Sequence, residues 1–376
     1  MSLEIEQVFF YAKENSKPHK THNYELVHDE DNPIAIFRRG VKFTIAIRFL
    51  GRGFKSDNDL IRLIFNFGPR PNPIQGTQGI IKVDPRKKTQ IDDEQRLWFA
   101  NVLDIGSDTI TLEVFVPPSV PVGLWTLQVE ASLLNNPENP TVFDSDTEFY
   151  IIFNPWNCHD LVYMPEERML DEFVLTDVGK IWVGPFGTSR GREWVFGQFD
   201  ACVLPAAMLM FEKSGLSYAS RGDPIKVTRM ISKMVNSNDD DGILVGRWDG
   251  DYADGTAPSA WTGSVPILQE YLDNESSVSY GQCWVFSGVV TTLCRALGIP
   301  SRVVSNIVSA HDANATLTVD KYFDANNEEL SYDPNNEMGM DSIWNYHVWN
   351  DVYMARPDLP PDTAREKDHR ASNDKI

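Results

Sequence analysis

Cysteine is scarce in this 376-residue chain, which excludes a fold held together by a disulfide framework. The four cysteines, Cys158, Cys202, Cys283 and Cys294, are widely spaced, and no C-x-x-C pair is present. A structural zinc site of the usual spacing is therefore not expected. We expect four free thiols in a reducing compartment.

Basic residues are in the minority. The sequence has 34 Lys and Arg against 54 Asp and Glu, which gives a formal net charge of −20. A nucleic-acid partner requires basic surface to neutralise phosphate, so this composition argues against one. An acidic balance is compatible with a protein that binds cations.

Long apolar runs are also missing. The first residues, MSLEIEQVFFYAKENSK, do not contain the apolar segment of a signal peptide. No apolar stretch of the sequence is long enough to span a bilayer. We expect a cytoplasmic protein with no transmembrane segment, and export by an unconventional route stays open.

The first part of the chain has apolar residues that alternate with period two. This pattern occurs at residues 43–49, 110–116, 125–131 and 149–153, separated by Gly, Pro and Asn. Short alternating runs with such turns predict an antiparallel, immunoglobulin-like β-sandwich. The predicted domain covers residues 1–153, and 154–158 is its linker.

The second part has a mixed pattern. Helical spacing occurs in 166–175, 201–213, 227–235 and 284–297, and the polar segment 236–242 is predicted to be a turn. Buried strands are predicted at 302–308 and 343–354. The fold class is therefore α+β, with a second domain over 154–361. The polar tail, 362–376, is predicted to be disordered.

The segment YGQCWVF, residues 280–286, carries the main chemical signal. Cys283 lies where a helix is predicted to begin, and a helix N-terminus lowers the pKa of a thiol. His347, on a predicted strand, is a plausible base for this nucleophile. Spacing alone leaves open that Cys283 is a packed, inert residue.

Further motifs resemble the animal transglutaminases over residues 1–361, the arthropod, annulin-like members in particular. They are WVFGQFD (194–200), MVNSNDDDGILVGRW (234–248), TGSVPIL (262–268), LGIPSRVV (297–304), SAHD (309–312) and WNYHVW (344–349). The resemblance implies an N-terminal sandwich followed by a papain-like catalytic core.

It also implies a reaction. Cys283 would attack the γ-carboxamide of a protein glutamine, releasing ammonia, and the thioester would acylate a lysine, another primary amine or water. His347 would form an ion pair with Cys283. The backbone N–H of Cys283 and the indole N–H of Trp248 would hold the oxyanion, and Trp344 would line the acceptor tunnel.

Calcium is the cofactor that the resemblance implies. Ca²⁺ prefers carboxylate, amide and carbonyl oxygens. The first implied site uses the Lys233 carbonyl with Asn236, Asn238, Asp240 and Asp241, and the second uses Asp312, Asn314, Thr316, Thr318 and Asp341. The alternative is that both segments are ordinary solvated loops.

The chain departs from the family after RPDLPP, residues 356–361. The family places its third catalytic residue, an aspartate, in a following GWQ segment, and Arg370 occupies that position here. The family's last core strands and two C-terminal β-barrels are also expected to be absent, as in a truncated form. Losing the residue that orients the histidine predicts weak activity.

Three functions follow from these observations. The first is a calcium-dependent transglutaminase with weak activity. The second is a non-catalytic, truncated isoform that acts as a binding or regulatory protein. The third is another papain-like Cys–His enzyme, such as a protease, which the motifs disfavour. The sequence does not give the oligomeric state.

Overall fold

The computed structural model describes residues 3–91, 95–313, 316–330, 341–360 and 371–372, apart from the side chains of residues 239, 240, 371 and 372. In the first part of the chain, two short helices precede most of the strands: α1 (Ala12–Ser16) and α2 (Glu25–His28). The strands are β1 (Glu4–Phe9), β2 (Ile36–Arg38), β3 (Lys42–Leu50), β4 (Asp59–Phe67), β5 (Gln78–Val83), β6 (Phe99–Ile105), β7 (Thr109–Phe115), β8 (Gly123–Leu133), β9 (Asn136–Asp144) and β10 (Phe149–Ile152).

These strands form two facing sheets. One has the order β1-β3-β7-β6, and the other has the order β2-β10-β8-β4-β5, with β9 paired to β8. Most pairs are antiparallel, and β2 and β10 are parallel. Alternate residues point to opposite faces of a strand, so Ile45 and its partner Leu112 both face the interior and are fully buried. The predicted β-sandwich is confirmed.

The second part of the chain packs helices against small sheets. Its helices are α3 (Glu167–Leu170), α4 (Val203–Ser214), α5 (Pro224–Val235), α6 (Ser237–Asp240), α7 (Val265–Asn274) and α8 (Cys283–Ala296). A π-helical turn, Asp171–Leu175, continues α3. Its strands are β11 (Val178–Val183), β12 (Arg190–Val195), β13 (Leu244–Gly246), β14 (Val278–Gly281), β15 (Ser301–His311), β16 (Ser342–Tyr353) and β17 (Ala371–Ser372).

Helix α8 is the central element of this part. Its apolar positions, such as Val285, Val289 and Leu293, are fully buried. The strand β16 lies alongside it, since Asn350 donates to the backbone of Ser287 and that residue's hydroxyl donates to the backbone of Trp349. A side chain at Gly298, which follows the helix with a φ of +88°, would collide with neighbouring backbone. Packing therefore holds α8 against β16, and Gly298 allows the chain to turn at the end of the helix.

The sandwich and the second part share a buried junction. Arg39 binds both carboxylate oxygens of Asp160, with N–O distances of 2.6 and 2.8 Å. The same guanidinium donates to the backbone oxygens of Val120 and Gly222. The Tyr24 hydroxyl donates to the backbone of Ala296 at the end of α8. The helix that begins at Cys283 is thus anchored to the sandwich at its other end.

The predicted helices at 201–213, 227–235 and 284–297 correspond to α4, α5 and α8. The strands predicted at 302–308 and 343–354 correspond to β15 and β16, which pair with each other. The segment 236–242 is more regular than the predicted turn, because it contains the helical turn α6. The amide oxygen of Asn236 caps that turn by accepting from the backbone of Asn238.

Two predictions on the chain's limits stay predictions. The last sandwich strand ends at Ile152, next to the predicted domain boundary, which stays a prediction. Of the predicted disordered tail, the structure describes only the backbone of Ala371 and Ser372, which pairs with β16. A bilayer-spanning helix, which needs both length and an apolar surface, is absent from the described part of the chain.

Candidate active site

Cys283 is the first residue of α8, as the sequence predicted. The residue before it, Gln282, has extended backbone, so the chain turns sharply into the helix at the cysteine. The free N–H groups of the first turn point toward this end of the helix. All four cysteines are free thiols, and Cys283 is half-buried. It is therefore placed as an accessible thiol at a helix N-terminus.

Two clefts meet at Cys283. One has a volume of about 370 Å³ and is bordered by Asn236, Asn238, His311 and His347. The other has a volume of about 390 Å³ and is bordered by Gln282, Trp284, Asn345 and Tyr346. Cys283, Trp248 and Trp344 line both. A reacting sulfur at this point is open to two molecules from two directions.

His347 lies on β16 beside the first cleft. Its ring is half-buried, and its Nδ1 has no hydrogen bond partner among the described residues. The ring of Trp344 meets it edge-on, with centroids 5.0 Å apart. The structure thus brings His347 to the same cleft as Cys283, with a buried nitrogen available.

The protonation states follow from burial. Burial raises the pKa of the Cys283 thiol, although the backbone N–H groups of Val348, Trp284 and Cys283 oppose the rise. Burial, and next the nearby His311, lower the pKa of His347. Both shifts favour a neutral thiol and a neutral imidazole at rest. The ion pair that the family resemblance implies for these two groups stays a prediction.

Trp248 stands between the two clefts. Its side chain is 58% exposed, and its ring stacks on Phe286 with centroids 6.5 Å apart. A Cβ at Gly246 would lie 2.7 Å from the indole, so only glycine leaves room for it there. The indole therefore lies over the first turn of α8 and lines the same clefts as Cys283.

His311 is a site residue that the sequence reasoning missed. Its ring stacks on Trp344 with centroids 4.2 Å apart and an interplanar angle of 18°. Since Trp344 also contacts His347, the three rings form one continuous group along the cleft. The SAHD motif contained the signal, because it places a histidine immediately before the implied ligand Asp312.

The first implied metal loop lies next to the cleft. Asn236 and Asn238 belong to this loop and also line the cleft. Asp241, further along the loop, has a left-handed backbone with a φ of 55°. The side chain of Asp240 lies outside the described residues. A Cβ at Gly242 would lie only 2.2 Å from the Met234 carbonyl oxygen. The glycine thus allows the loop to close back onto the end of α5, where Lys233 lies.

The second implied loop is drawn together by Asp312 and Asp341. Asp312 accepts from the backbone of Thr316 and Leu317. Asp341 accepts from the backbone of Ala313 and Asp320. The hydroxyls of Thr316 and Thr318 are 2.8 Å apart, and Thr318 also donates to Asp320, a residue that the sequence reasoning missed. Asn314 lies outside the described residues.

The donor chemistry of both loops fits a hard cation, because it consists of carboxylate, amide and hydroxyl oxygens. In the described part of the chain, no three His, Cys, Asp or Glu side chains already form a metal-binding group. The carboxylates of Asp312 and Asp341 instead hold backbone N–H groups. Metal binding at this loop would have to replace or rearrange those contacts.

Arg370, at the position where the family resemblance implies an aspartate, lies outside the described residues. The structure therefore gives no partner that orients His347 from the tail. Asp351, which is on the same strand, is engaged by Arg302 at 3.0 Å. Within the described residues, the candidate catalytic group that lines the first cleft consists of Cys283, His347, Trp248 and Trp344.

Comparison with known proteins bears on this arrangement. A family model described as "Transglutaminase family" matches residues 6–132, and one described as "Transglutaminase-like superfamily" matches residues 263–363. This chain belongs to the transglutaminase family. It is 46% identical over 364 residues to the hemocyte protein-glutamine gamma-glutamyltransferase of Tachypleus tridentatus. The aligned region covers 96% of this chain and 46% of that protein.

Two other proteins are similar to this chain over most of its length. Annulin of Schistocerca americana is 38% identical over 360 residues, covering 95% of this chain and 45% of annulin. A crystal structure of red sea bream transglutaminase superposes with a TM-score of 0.78 at 34% identity, covering 95% of this chain and 51% of that one. The expected fold class, an α+β protein with an N-terminal β-sandwich and a transglutaminase core, is confirmed.

The transglutaminase relatives are longer than this chain. The chain spans about half the length of the curated relatives that it matches, 46% and 45% for the two named above. The matched half contains the sandwich and the clefts around Cys283. Activity, substrates and cofactor of the longer proteins are therefore carried to this chain only as proposals.

Proposed function

We propose that this chain catalyses acyl transfer from protein glutamine to primary amines, including the side chain of lysine. The observation that carries the proposal is the placement of Cys283 at the start of α8, where two clefts meet and where His347 and Trp248 line the same cleft as the cysteine. Two openings suit a reaction with two macromolecular substrates. A hydrolase needs only one substrate cleft and water.

The chemistry starts from the neutral pair. His347 takes the proton of the Cys283 thiol as the sulfur attacks the γ-carbonyl carbon of glutamine. The carbonyl oxygen becomes an oxyanion, and the Cys283 N–H and the Trp248 indole N–H stabilise it. The C–N bond then breaks, the imidazolium returns the proton to the leaving nitrogen, and ammonia departs. A thioester on Cys283 remains.

The second half reverses these roles. A primary amine enters and attacks the thioester carbon, and His347 takes its proton. The C–S bond breaks, the sulfur regains a proton, and an isopeptide bond is released. Water in place of the amine gives glutamate. The stacked rings of His311 and Trp344 line the cleft and would limit access of water to the thioester.

We also propose that Ca²⁺ regulates the chain. The first site would use the Lys233 carbonyl with Asn236, Asn238, Asp240 and Asp241. The second site would use Asp312, Asn314, Thr316, Thr318 and Asp341. The oxygen donors of the described members support this, and the first loop borders the reaction cleft. Bound calcium would supply positive charge that fixes the acidic loops.

One observation favours a second candidate, a non-catalytic form that binds transglutaminase substrates or partners. Nδ1 of His347 has no hydrogen bond partner in the described part of the chain. Removing the carboxylate that orients the histidine of a catalytic triad costs about 10⁴-fold in rate in a well-studied case. A low rate of this kind would leave binding as the main role.

Calcium-dependent incorporation of a fluorescent amine into a glutamine-rich protein separates the two candidates. The wild-type chain is compared with Cys283→Ala and with Cys202→Ala, a matched substitution of a buried thiol outside the clefts. Labelling that is lost only in Cys283→Ala supports the transferase. Labelling at the Cys283→Ala background in every sample refutes it, and retained binding to the glutamine protein then supports the second candidate.

A further inference from the structure

Gln282 has a side chain that does not act on its own helix. The residue immediately precedes Cys283 and occupies the N-cap of α8, yet its side chain makes no capping hydrogen bond. Instead, its amide nitrogen reaches across to the loop that carries Trp248. It donates to the backbone oxygen of Arg247 at 3.0 Å and to the hydroxyl oxygen of Tyr252 at 2.9 Å.

The acceptor on Arg247 is informative. Its carbonyl belongs to the peptide group whose N–H is that of Trp248, so holding this oxygen fixes the plane from which the indole projects. The Tyr252 hydroxyl donates to the same oxygen at 3.4 Å. Gln282, Tyr252 and this carbonyl therefore form a closed triangle of hydrogen bonds at the base of Trp248.

The rest of the loop is anchored separately. The Arg247 guanidinium binds the Tyr280 hydroxyl at 2.6 Å and Asp254 at 2.7 Å. The Arg247 backbone N–H donates to Gly281 at 3.2 Å. These contacts hold the loop to β14, but they do not tie it to the start of α8. The Gln282 amide makes that link, because Gln282 is the residue immediately before Cys283.

Trp248 itself has little to hold its orientation. Its side chain is more than half exposed, and its ring stacks on Phe286 and passes close to Gly246, which has no side chain to hold it. An oxyanion donor acts only when it is fixed before the charge develops, since a displacement of about 1 Å costs up to about 100-fold in rate. An exposed donor of this kind needs support from its backbone.

We propose that Gln282 is a positioning residue that fixes the Trp248 indole relative to Cys283. The inference rests on the proposed acyl transfer, in which Trp248 and the Cys283 N–H share the oxyanion. Gln282 does not touch the substrate in this role. It sets the distance between the two donors by tying the tryptophan's peptide group to the residue that begins the helix.

The test is a double-mutant cycle with Gln282→Met and Trp248→Phe. Methionine keeps the length of the side chain and lacks the N–H donors, while phenylalanine keeps a ring and lacks the indole N–H. In the wild-type background, we expect Gln282→Met to lower kcat about ten- to a hundredfold with KM for the glutamine substrate nearly unchanged. In the Trp248→Phe background, we expect less than a twofold further loss.

A second readout does not depend on activity. In protein labelled with 5-fluorotryptophan, the ¹⁹F resonance of Trp248 is assigned by its loss in Trp248→Phe. Gln282→Met should shift or broaden that resonance and leave the others in place. Gln269→Met is the matched control, because Gln269 donates to Asp273 on the exposed face of α7. It should change neither kcat nor the resonance.

The outcomes separate the two levels of inference. Equal losses from Gln282→Met in both backgrounds, or an unchanged Trp248 resonance, overturn the positioning role. A wild-type chain with no amine incorporation overturns the proposed function, and the resonance then decides the positioning claim alone. If Gln282→Met does not fold, Tyr252→Phe removes the two hydrogen bonds made by the tyrosine hydroxyl and leaves the bond from Gln282 to Arg247. It should give a smaller effect, about two- to fivefold, of the same pattern.

Discussion

Replacing Asp160 by asparagine should destabilise the chain strongly, because it leaves a buried cation without its partner. The side chains of Arg39 and Asp160 are 1% and 0% exposed, and two N–O contacts of 2.6 and 2.8 Å join them. Asp160 also accepts from the backbone N–H of Asn154 at 2.9 Å. Breaking one half of such a pair costs about 3–5 kcal/mol.

The free energy of unfolding is measured by urea denaturation with tryptophan fluorescence. Asp57→Asn is the matched control, since Asp57 and Arg86 are 87% and 73% exposed in an ion pair of 2.8 Å. The control should change stability by less than about 1 kcal/mol. The double variant Arg39→Met/Asp160→Leu should be more stable than Asp160→Asn alone, because it removes the Arg39 charge together with its partner. A loss in Asp160→Asn no larger than that of Asp57→Asn would refute the reasoning.

Three further predictions concern the clefts and loops. Alkylation of Cys283 by iodoacetamide should speed up about tenfold per pH unit between pH 7 and 8, because the raised pKa keeps most of the thiol protonated there; a rate already level in that range would indicate an ion pair instead. Gly242→Ala should lower stability by about 1–3 kcal/mol through its collision with the Met234 carbonyl oxygen, whereas Gly106→Ala, with ordinary contacts, should not; equal unfolding midpoints would contradict this. Asp341→Ala should weaken calcium binding, measured by titration calorimetry, at least about tenfold by removing a carboxylate donor. Its control, Asp358→Ala, removes a carboxylate that is paired with Arg356 and should leave the affinity unchanged.

The regular elements were predictable where burial imposes a simple period. The alternation at 110–116 became β7, and the apolar spacing of 284–297 became α8, because in each case one face packs against a core. The hairpin of β11 and β12 was not predicted. One of its faces exposes Val178, Trp182 and Val195, so apolar residues occur on both faces and the alternation is lost.

The site was predictable in its residues and less so in its contacts. Cys283, His347, Trp248 and Trp344 were expected together, and all four line the first cleft. The stacking of His311 could not be inferred, because it depends on how the ends of β15 and β16 meet. The directions of the pKa shifts of Cys283 and His347 could not be inferred either, since they depend on burial, which a motif does not specify.

The position of Gln282 shows the same limit. In sequence it is the glutamine that precedes Cys283, where a helix is predicted to begin. Its actual partners, the Arg247 backbone and the Tyr252 hydroxyl, are 35 and 30 residues away. Hydrogen bonds over such separations follow from the tertiary fold, which brings the loop after β13 next to the start of α8.

The measurement that tests the central claim most directly is a search for the acyl-enzyme. The chain is mixed with a glutamine peptide and calcium without an amine, quenched in acid, and examined by intact-protein and peptide mass spectrometry. We predict an added mass equal to the peptide minus ammonia, located on Cys283 and absent from Cys283→Ala. An adduct on another residue, or no adduct on Cys283 under conditions in which a full-length transglutaminase forms one, would contradict the account.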